Sequence, residues 1–257
     1  MPHTPKMENA IPPCRNCNPG ICLMSSLCTH PLFPEFRSLT RTIETPAGQV
    51  IYREGEAVKG VFFLRSGLVK KSKATLLARA VILDVWSGGL PLGLEDLERR
   101  NTHSSTTTAL EPSRVCFMEA DIFRRMADHI PSVRETVNRH LACLLRRSER
   151  RVALLAFGNV RQRVADTLLR IADLYGYGKN AGGIRILFDR QDIADMAGTT
   201  KEQVSKELTR FREDGLLRFR AKHFKFLDRD GLKSICRGGW RQHSPEGGSH
   251  PFLAGMP

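Results

Sequence analysis

The apolar residues of this chain change their spacing once, and that change limits it to a fold with a β-rich front and a helical back. From about Pro31 to Met118 they come in short runs broken by glycine. Examples are Gln49-Val-Ile-Tyr52, Gly60-Val-Phe-Phe-Leu64, Gly67-Leu-Val-Lys70, Ala80-Val-Ile-Leu83 and Arg114-Val-Cys-Phe117. Closely spaced β-rich runs with glycine corners predict a sandwich or roll. Asp121 can cap a first helical turn. Beyond Pro131 the residues Val133, Val137, Leu141, Leu144 and Leu145 recur at three and four, with Val152 and Leu155 continuing the stripe. That is one face of a long helix, able to pack on its own chain or on a second copy. Gly158 marks a break, and Arg161 to Leu174 reads as a further amphipathic helix. Ile184 to Phe188 is a short expected strand. The chain therefore divides into a cysteine-bearing arm (1–30), a β-roll (31–120), a long helix (121–157), a C-terminal helical unit (158–236) and a disordered tail rich in Gly, Pro, Ser and His (237–257).

The C-terminal unit carries the most legible motif. Residues 189–214 read Asp-Arg-Gln-Asp-Ile-Ala-Asp-Met-Ala-Gly-Thr-Thr-Lys-Glu-Gln-Val-Ser-Lys-Glu-Leu-Thr-Arg-Phe-Arg-Glu-Asp. Asp189 caps a short helix, small Ala194 allows a close crossing, Gly198 permits a tight turn, and Thr199 or Thr200 caps a second helix. Val204 and Leu208 point back into a three-helix core. This is the grammar of a helix-turn-helix. It leaves Lys201, Glu202, Gln203, Ser205 and Lys206 outward near the N-terminus of the second helix, where a recognition helix meets the major groove. Lysine donates to guanine O6/N7, and glutamate accepts from cytosine N4. Leu216 to Leu227 then alternates apolar and basic residues, as in a strand pair. That makes a wing, with Lys222 set for phosphates. A formal net charge of +13 agrees with a polyanionic partner.

Four of the seven cysteines, Cys14, Cys17, Cys22 and Cys28, crowd a turning arm containing Pro12, Pro13, Pro19 and Gly20. No segment approaches the ~20 apolar residues of a membrane helix. The N-terminus also lacks the apolar core of a secretory signal. A cytoplasmic location is expected, where clustered thiols bind metal or do redox chemistry more often than they form static crosslinks. A metal or cluster would supply the order that the arm lacks. Cys143, on the long helix, reads as a buried structural thiol, and no motif includes Cys236. His103, His129, His140 and His223 have no ligand-like spacing and read as surface or packing residues.

The order roll, long helix, winged helix-turn-helix resembles the Crp/Fnr family of bacterial transcription regulators. Gly48-Gln-Val-Ile-Tyr-Arg-Glu-Gly-Glu56 with Gly60-Val-Phe-Phe-Leu-Arg-Ser-Gly-Leu-Val-Lys70 carries the resemblance in the front half. Arg190-Gln-Asp-Ile-Ala-Asp-Met-Ala-Gly198 with Glu202-Gln-Val-Ser-Lys206 carries it in the back half. It covers about residues 12–236. The resemblance implies an α+β fold: a double-stranded β-helix roll like that of cyclic-nucleotide-binding domains, a long dimerisation helix and a winged helix-turn-helix. It implies a homodimer joined along Val133, Val137, Leu141, Leu144, Leu145, Ser148 and Val152. The implied partners are an inverted-repeat promoter site in double-stranded DNA and RNA polymerase, and no membrane. The charged run Arg146 to Arg151 limits how closely two helices approach. Family members that sense cyclic nucleotides hold the phosphate with an arginine, and none stands where Ser104 falls here, so nucleotide sensing is not expected.

The Fnr branch fits better. Its members hold a [4Fe–4S] cluster with three N-terminal cysteines and one in a Val-Cys pair of the roll. That pair here is Val115-Cys116, and Cys14 and Cys17 match the family's Cys-x-x-Cys. The next gap is four residues instead of five, ending at Cys22, and an ungapped count back from Gly48-Gln49 also selects Cys22. Cys28 is the alternative third ligand. The resemblance thus implies a redox- or oxygen-responsive regulator with ligands Cys14, Cys17, Cys22 and Cys116. Zinc bound by four cysteines, a thiol–disulfide switch, haem or an organic acid are the alternative effectors. A redox enzyme is the rival class, and the chain offers it neither a G-x-G-x-x-G fingerprint nor a Walker loop. Lysine at Lys206, where the branch has arginine, lacks the planar fork for guanine.

Overall fold

The computed structural model describes residues 30–75, 80–89, 91–97, 102–175 and 183–238. Cys14, Cys17, Cys22 and Cys28 lie outside these residues, as does the expected tail beyond Gly238. A short helix, α1 (Phe33–Ser38), leads into eight strands: β1 (Arg41–Thr45), β2 (Val50–Tyr52), β3 (Gly60–Ser66), β4 (Leu68–Ala74), β5 (Ala80–Ser87), β6 (Pro91–Leu92), β7 (Thr106–Ala109) and β8 (Ser113–Glu119). They form two four-stranded antiparallel sheets, ordered β1-β8-β3-β6 and β2-β7-β4-β5. This is the expected roll.

The alternation along the strands decides what each face touches. Leu64, Leu92 and Val115 of the first sheet meet Tyr52, Val69 and Trp86 of the second in one buried cluster. Val61, Phe63 and Met118 turn to the opposite face of the first sheet. There they bury with Phe36 of α1 and with Phe123, Met126, Ile130 and Val133 from the helices that follow. The β3–β4 hairpin turns on Gly67, at φ +99°, where a Cβ would stand 2.7 Å from Ser113 Cα; only glycine fits.

Those helices are α2 (Ala120–His129) and α3 (Pro131–Phe157). Asp121 does not cap α2. The cap position is Glu119, which makes no side-chain cap bond, and Asp121 pairs instead with Arg124 at 2.8 Å within the first turn. Pro131 opens α3, whose 27 residues span about 40 Å. Gly158 ends it in an extended conformation.

The C-terminal unit holds α4 (Val160–Leu174), β9 (Ile184–Arg185), α5 (Arg190–Ala197), α6 (Lys201–Glu213), β10 (Leu217–Arg220), β11 (His223–Phe226) and α7 (Arg229–Arg237). Asn159–Gln162 and Asp189–Asp192 form reciprocal capping boxes on α4 and α5. Val164, Leu168, Ile171, Ile193, Val204, Leu208 and Phe211 make its core. β9 is shorter than the expected 184–188: beyond Ile186, the Leu187 N–H goes to Tyr175 Oη at 2.9 Å and leaves the sheet. Leu68, Ile82 and Val85 of the β4–β5 hairpin belong to the same apolar cluster, so the roll and the C-terminal unit share a core. Among the described residues no helix is long and apolar enough to cross a membrane.

Candidate nucleic-acid interface and sensory surfaces

The turn between α5 and α6 is built on Gly198, left-handed at φ 60°. A Cβ there would lie 2.8 Å from Leu155 Cδ2, so the position needs glycine for both conformation and space. Of the two threonines, Thr200 caps α6, accepting from Gln203 N at 3.3 Å. Val204 and Leu208 are fully buried beneath the helix. The same helical period leaves Lys201, Glu202, Gln203, Ser205 and Lys206 exposed together on its outer face. The Ser205 hydroxyl donates to Lys201 O at 2.9 Å, which leaves its lone pairs to accept. The Glu202 carboxyl is held below the usual range, first by its own backbone N–H and then by the Thr200 hydroxyl. It is therefore a standing acceptor at the helix N-terminus.

The wing is β10 paired with β11. Arg218 stands directly opposite Lys225, and Arg220 opposite His223, with all four exposed. Like charges facing across a strand pair repel, an arrangement that a polyanion relieves. Lys222, at the tip, is exposed but donates Nζ to Leu187 O at 3.0 Å, which ties it to the base of the wing. Arg218, Arg220 and Lys225 therefore carry the outward charge, and the strand alternation was the signal for them. Behind them Phe219 and Phe224 stack at 5.6 Å, with Arg190 over both rings and Arg212 over Phe219. Nothing in the sequence singled out that four-residue stack.

The two halves of α3 face different partners. Val133 is fully buried in its own roll cluster and is unavailable to a second subunit, which corrects its assignment to the dimer seam. Val137 and Leu144 are half-buried against the same roll. Leu141, Leu145, Ser148, Val152 and Leu155 are exposed, and their spacing of four, three, four, three is that of a coiled-coil seam. Cys143 is exposed rather than buried, because the roll covers only the neighbouring stripe. Burial pushes the Cys236 thiol up to about 11, so it stays protonated. Cys116, on β8, is half-buried against the cluster that contains Phe36 of α1, with Thr42 Oγ1 at 3.8 Å from its sulfur. Among the described residues no group of three or more His, Cys, Asp or Glu could hold a metal; four of the five candidate ligands lie outside them.

Residues 42–129 match the cyclic nucleotide-binding domain family, and residues 162–235 match the Crp-like helix-turn-helix domain family. The first match precedes the long helix and the second follows it. The chain belongs to the Crp/Fnr superfamily of transcriptional regulators. It is 28% identical to the CRP-like cAMP-activated global transcriptional regulator of Mycobacterium tuberculosis over 76% of this chain and 88% of that protein. It is 24% identical to the anaerobic regulatory protein of Haemophilus influenzae over 85% of this chain and 86% of that one. The crystal structure of a CRP-family transcriptional regulator from Thermus thermophilus superposes with a TM-score of 0.64 at 28% identity, covering 75% of this chain and 95% of the other. This is a DNA-binding regulator, not an enzyme.

The roll of this Crp/Fnr chain has an unfinished interior. Tyr52 and His103 stack at 3.9 Å, both against Gly93. Ser105 and Thr107, on one inward face, are fully buried. Lys71 pairs with Glu95, whose carboxylate acts electrostatically on Tyr52, His103 and His140 of α3. Tyr52 Oη interacts with Thr107 and the Gly93 backbone, and His103 Nδ1 lies 3.5 Å from Asp96 Oδ2, whereas Glu95 Oε2, Ser105 Oγ and His140 Nε2 are buried without a hydrogen bond to the described residues. Three such atoms in one region are unusual for a folded protein. Burial raises the Tyr52 pKa and lowers those of His103 and His140, so all three are held neutral. The Ser104 N–H donates to Asp96 Oδ2 at 3.0 Å.

Proposed function

We propose that this Crp/Fnr regulator is a cytoplasmic, redox- or oxygen-responsive homodimer whose grip on an inverted-repeat promoter depends on a [4Fe–4S] cluster. The ligands are Cys14, Cys17, Cys22 and Cys116, with Cys28 the alternative third. One observation supports it most. Cys116 belongs to the packed layer that also holds α1, and α1 begins five residues after Cys28. Five residues of chain span at most about 17 Å, a short tether between Cys28 and α1. Thiolates are the donors such clusters take. The similarity to the anaerobic regulatory protein of Haemophilus influenzae supports the same reading.

When bound, the cluster supplies an oxygen-labile crosslink between arm and roll. The chain's own residues do the remainder. The α1–α2–α3 layer around Phe36, Phe123 and Val133 carries the order of the arm to the root of α3. The seam from Leu141 to Leu155 then joins two copies, and two α6 helices about 34 Å apart meet successive major grooves. The promoter-bound dimer is positioned to meet RNA polymerase. A shift of a few kcal/mol between paired and unpaired α3 is enough to switch occupancy.

The test is anaerobic isolation with iron and sulfide analysis. About four of each per chain, lost together with DNA binding in Cys116→Ser or in air, is the expected result. Zinc at one per chain, or metal-free protein that binds its promoter equally in air, rejects the cluster. The buried atoms of Glu95, Ser105 and His140 without a hydrogen bond to the described residues favour a second reading, a small polar effector seated beside Ser105 and Thr107. A rise in melting temperature with cyclic AMP or a small carboxylate, abolished in Thr107→Val, selects it.

A further inference from the structure

One cation joins the open edge of the roll to the helix-turn-helix. Arg151, six residues before the end of α3, donates Nη2 to Ile82 O at 2.7 Å and to Met196 O at 3.0 Å, and Nη1 to Leu83 O. These acceptors have a common origin. β5 is the edge strand of its sheet, and Leu83 is the extra residue of a β-bulge, where the pairing steps from Lys71↔Asp84 to Ser72↔Ile82. Edge and bulge carbonyls lack ladder partners. Met196 lies in the last turn of α5, where carbonyls have no helical donor. A guanidinium, with five donors in a fixed plane, satisfies all three from one point. Burial, the largest influence on it, lowers its pKa, and Asp84 and Asp166 oppose that effect.

The connection from there to the reading surface is short. Only Gly198, Thr199 and Thr200 separate α5 from α6. Leu155, one turn beyond Arg151 on the same helix, seats against Gly198. Around this point Arg170 pairs with Asp84 at 2.6 Å, Arg150 with Asp166 at 3.0 Å and Lys70 with Asp192 at 3.5 Å. Each of these pairs also ties the C-terminal unit to the hairpin or to α3.

We propose that Arg151 is a positioning residue for operator reading. Its fork fixes the angle between the helix-turn-helix and the β4–β5 hairpin. It thereby sets the separation of the two α6 helices and the half-site spacing that the dimer accepts. The proposal rests on the dimeric reading above.

The test uses duplexes selected by the full-length wild type from a random library under the conditions in which it binds. They are remade with the half-sites one or two base pairs closer or farther apart, alongside a duplex carrying a single half-site. Anisotropy titrations should show steep spacing discrimination for the wild type. Arg151→Met and Arg151→Lys should bind the selected spacing about tenfold more weakly, the scale of one charge-assisted hydrogen bond. They should lose most of the spacing discrimination and keep wild-type affinity for the single half-site. A structural defect alone would lower both affinities in parallel, and that outcome overturns the proposal. So does unchanged spacing discrimination in Arg151→Lys, which retains the charge and decides the matter should Arg151→Met fail to fold. Failure of the wild type to select any inverted repeat counts against the dimeric reading instead.

Discussion

The core beneath the recognition helix and the interior of the roll treat buried polar groups in opposite ways. Under α6, Glu207 is only 3% exposed, yet Arg210 at 2.7 Å and Arg161 at 3.5 Å neutralise it. Arg161 also reaches Asp214 and covers the Phe211 ring at 4.9 Å. Arg163 donates to Gly158 O at 2.7 Å and Ala197 O at 2.9 Å beneath the turn. In the roll Glu95 Oε2, Ser105 Oγ and His140 Nε2 are buried without a hydrogen bond to the described residues. A surface that reads DNA must hold side chains at fixed positions, which a fully satisfied core does. A region left unsatisfied rests closer to alternative arrangements, which is what a sensor needs.

The strongest challenge to this contrast lies in the apolar part of the first region. Leu208→Ala should lower stability by about 2–5 kcal/mol, because a fully buried leucine leaves a cavity in a closed core. Urea unfolding measures it, and a cost well below 1 kcal/mol would mean that the reading head is as pliant as the roll. Next comes the wing. Arg218→Ala should weaken binding to any duplex and reduce the slope of log K against log salt by about 1, as one phosphate contact is lost. An unchanged slope would move the phosphate surface elsewhere.

In the roll the sign reverses. Ser105→Ala removes a buried hydroxyl without a hydrogen bond to the described residues, and should be neutral or stabilising by up to ~1 kcal/mol. A loss of more than that in thermal unfolding would erase the contrast between the two regions. The smallest effect is that of pH. Burial holds His103 and His140 neutral; Asp96, Glu95 and Glu56 oppose it at His103, and at His140 Glu95 opposes it while Arg147 adds to it. The unfolded chain takes up these protons near pH 6.5, and the folded chain only below that. Stability from this source is therefore present above about pH 6.5 and is lost as pH falls through the lowered folded values. The melting temperature should drop between pH 7 and 5.5, less so in His103→Phe, and a flat profile would contradict it.

Local rules made much of the molecule legible. Gly198, Ala194, Val204 and Leu208 each answer a packing or conformational demand within a few residues, so the helix-turn-helix could be read directly. The roll followed from alternation and glycine corners. What escaped depends on contacts distant in sequence. The stripe from Val133 to Leu155 has one helical period but two partners, because the roll covers its first turns and stops near Leu144. Spacing alone could not show Val133 turned inward or Cys143 turned outward. The bulge at Leu83 is set by pairing with β4, and Arg151 looked like one more charge in a basic run until the three carbonyls around it were known. Lys222 was placed at the right tip, but its bond to Leu187 O depends on a strand that stops early.

The facing cations Arg218 and Lys225 have a consequence of their own. On the proposed reading an empty wing works against itself, its two strands urged apart by the charges that a duplex would hold together. On that reading binding does more than neutralise: it also relieves the repulsion between facing cations. Bare and loaded, the same twelve residues at 216–227 behave as two different mechanical objects, a spring before contact and a brace after it.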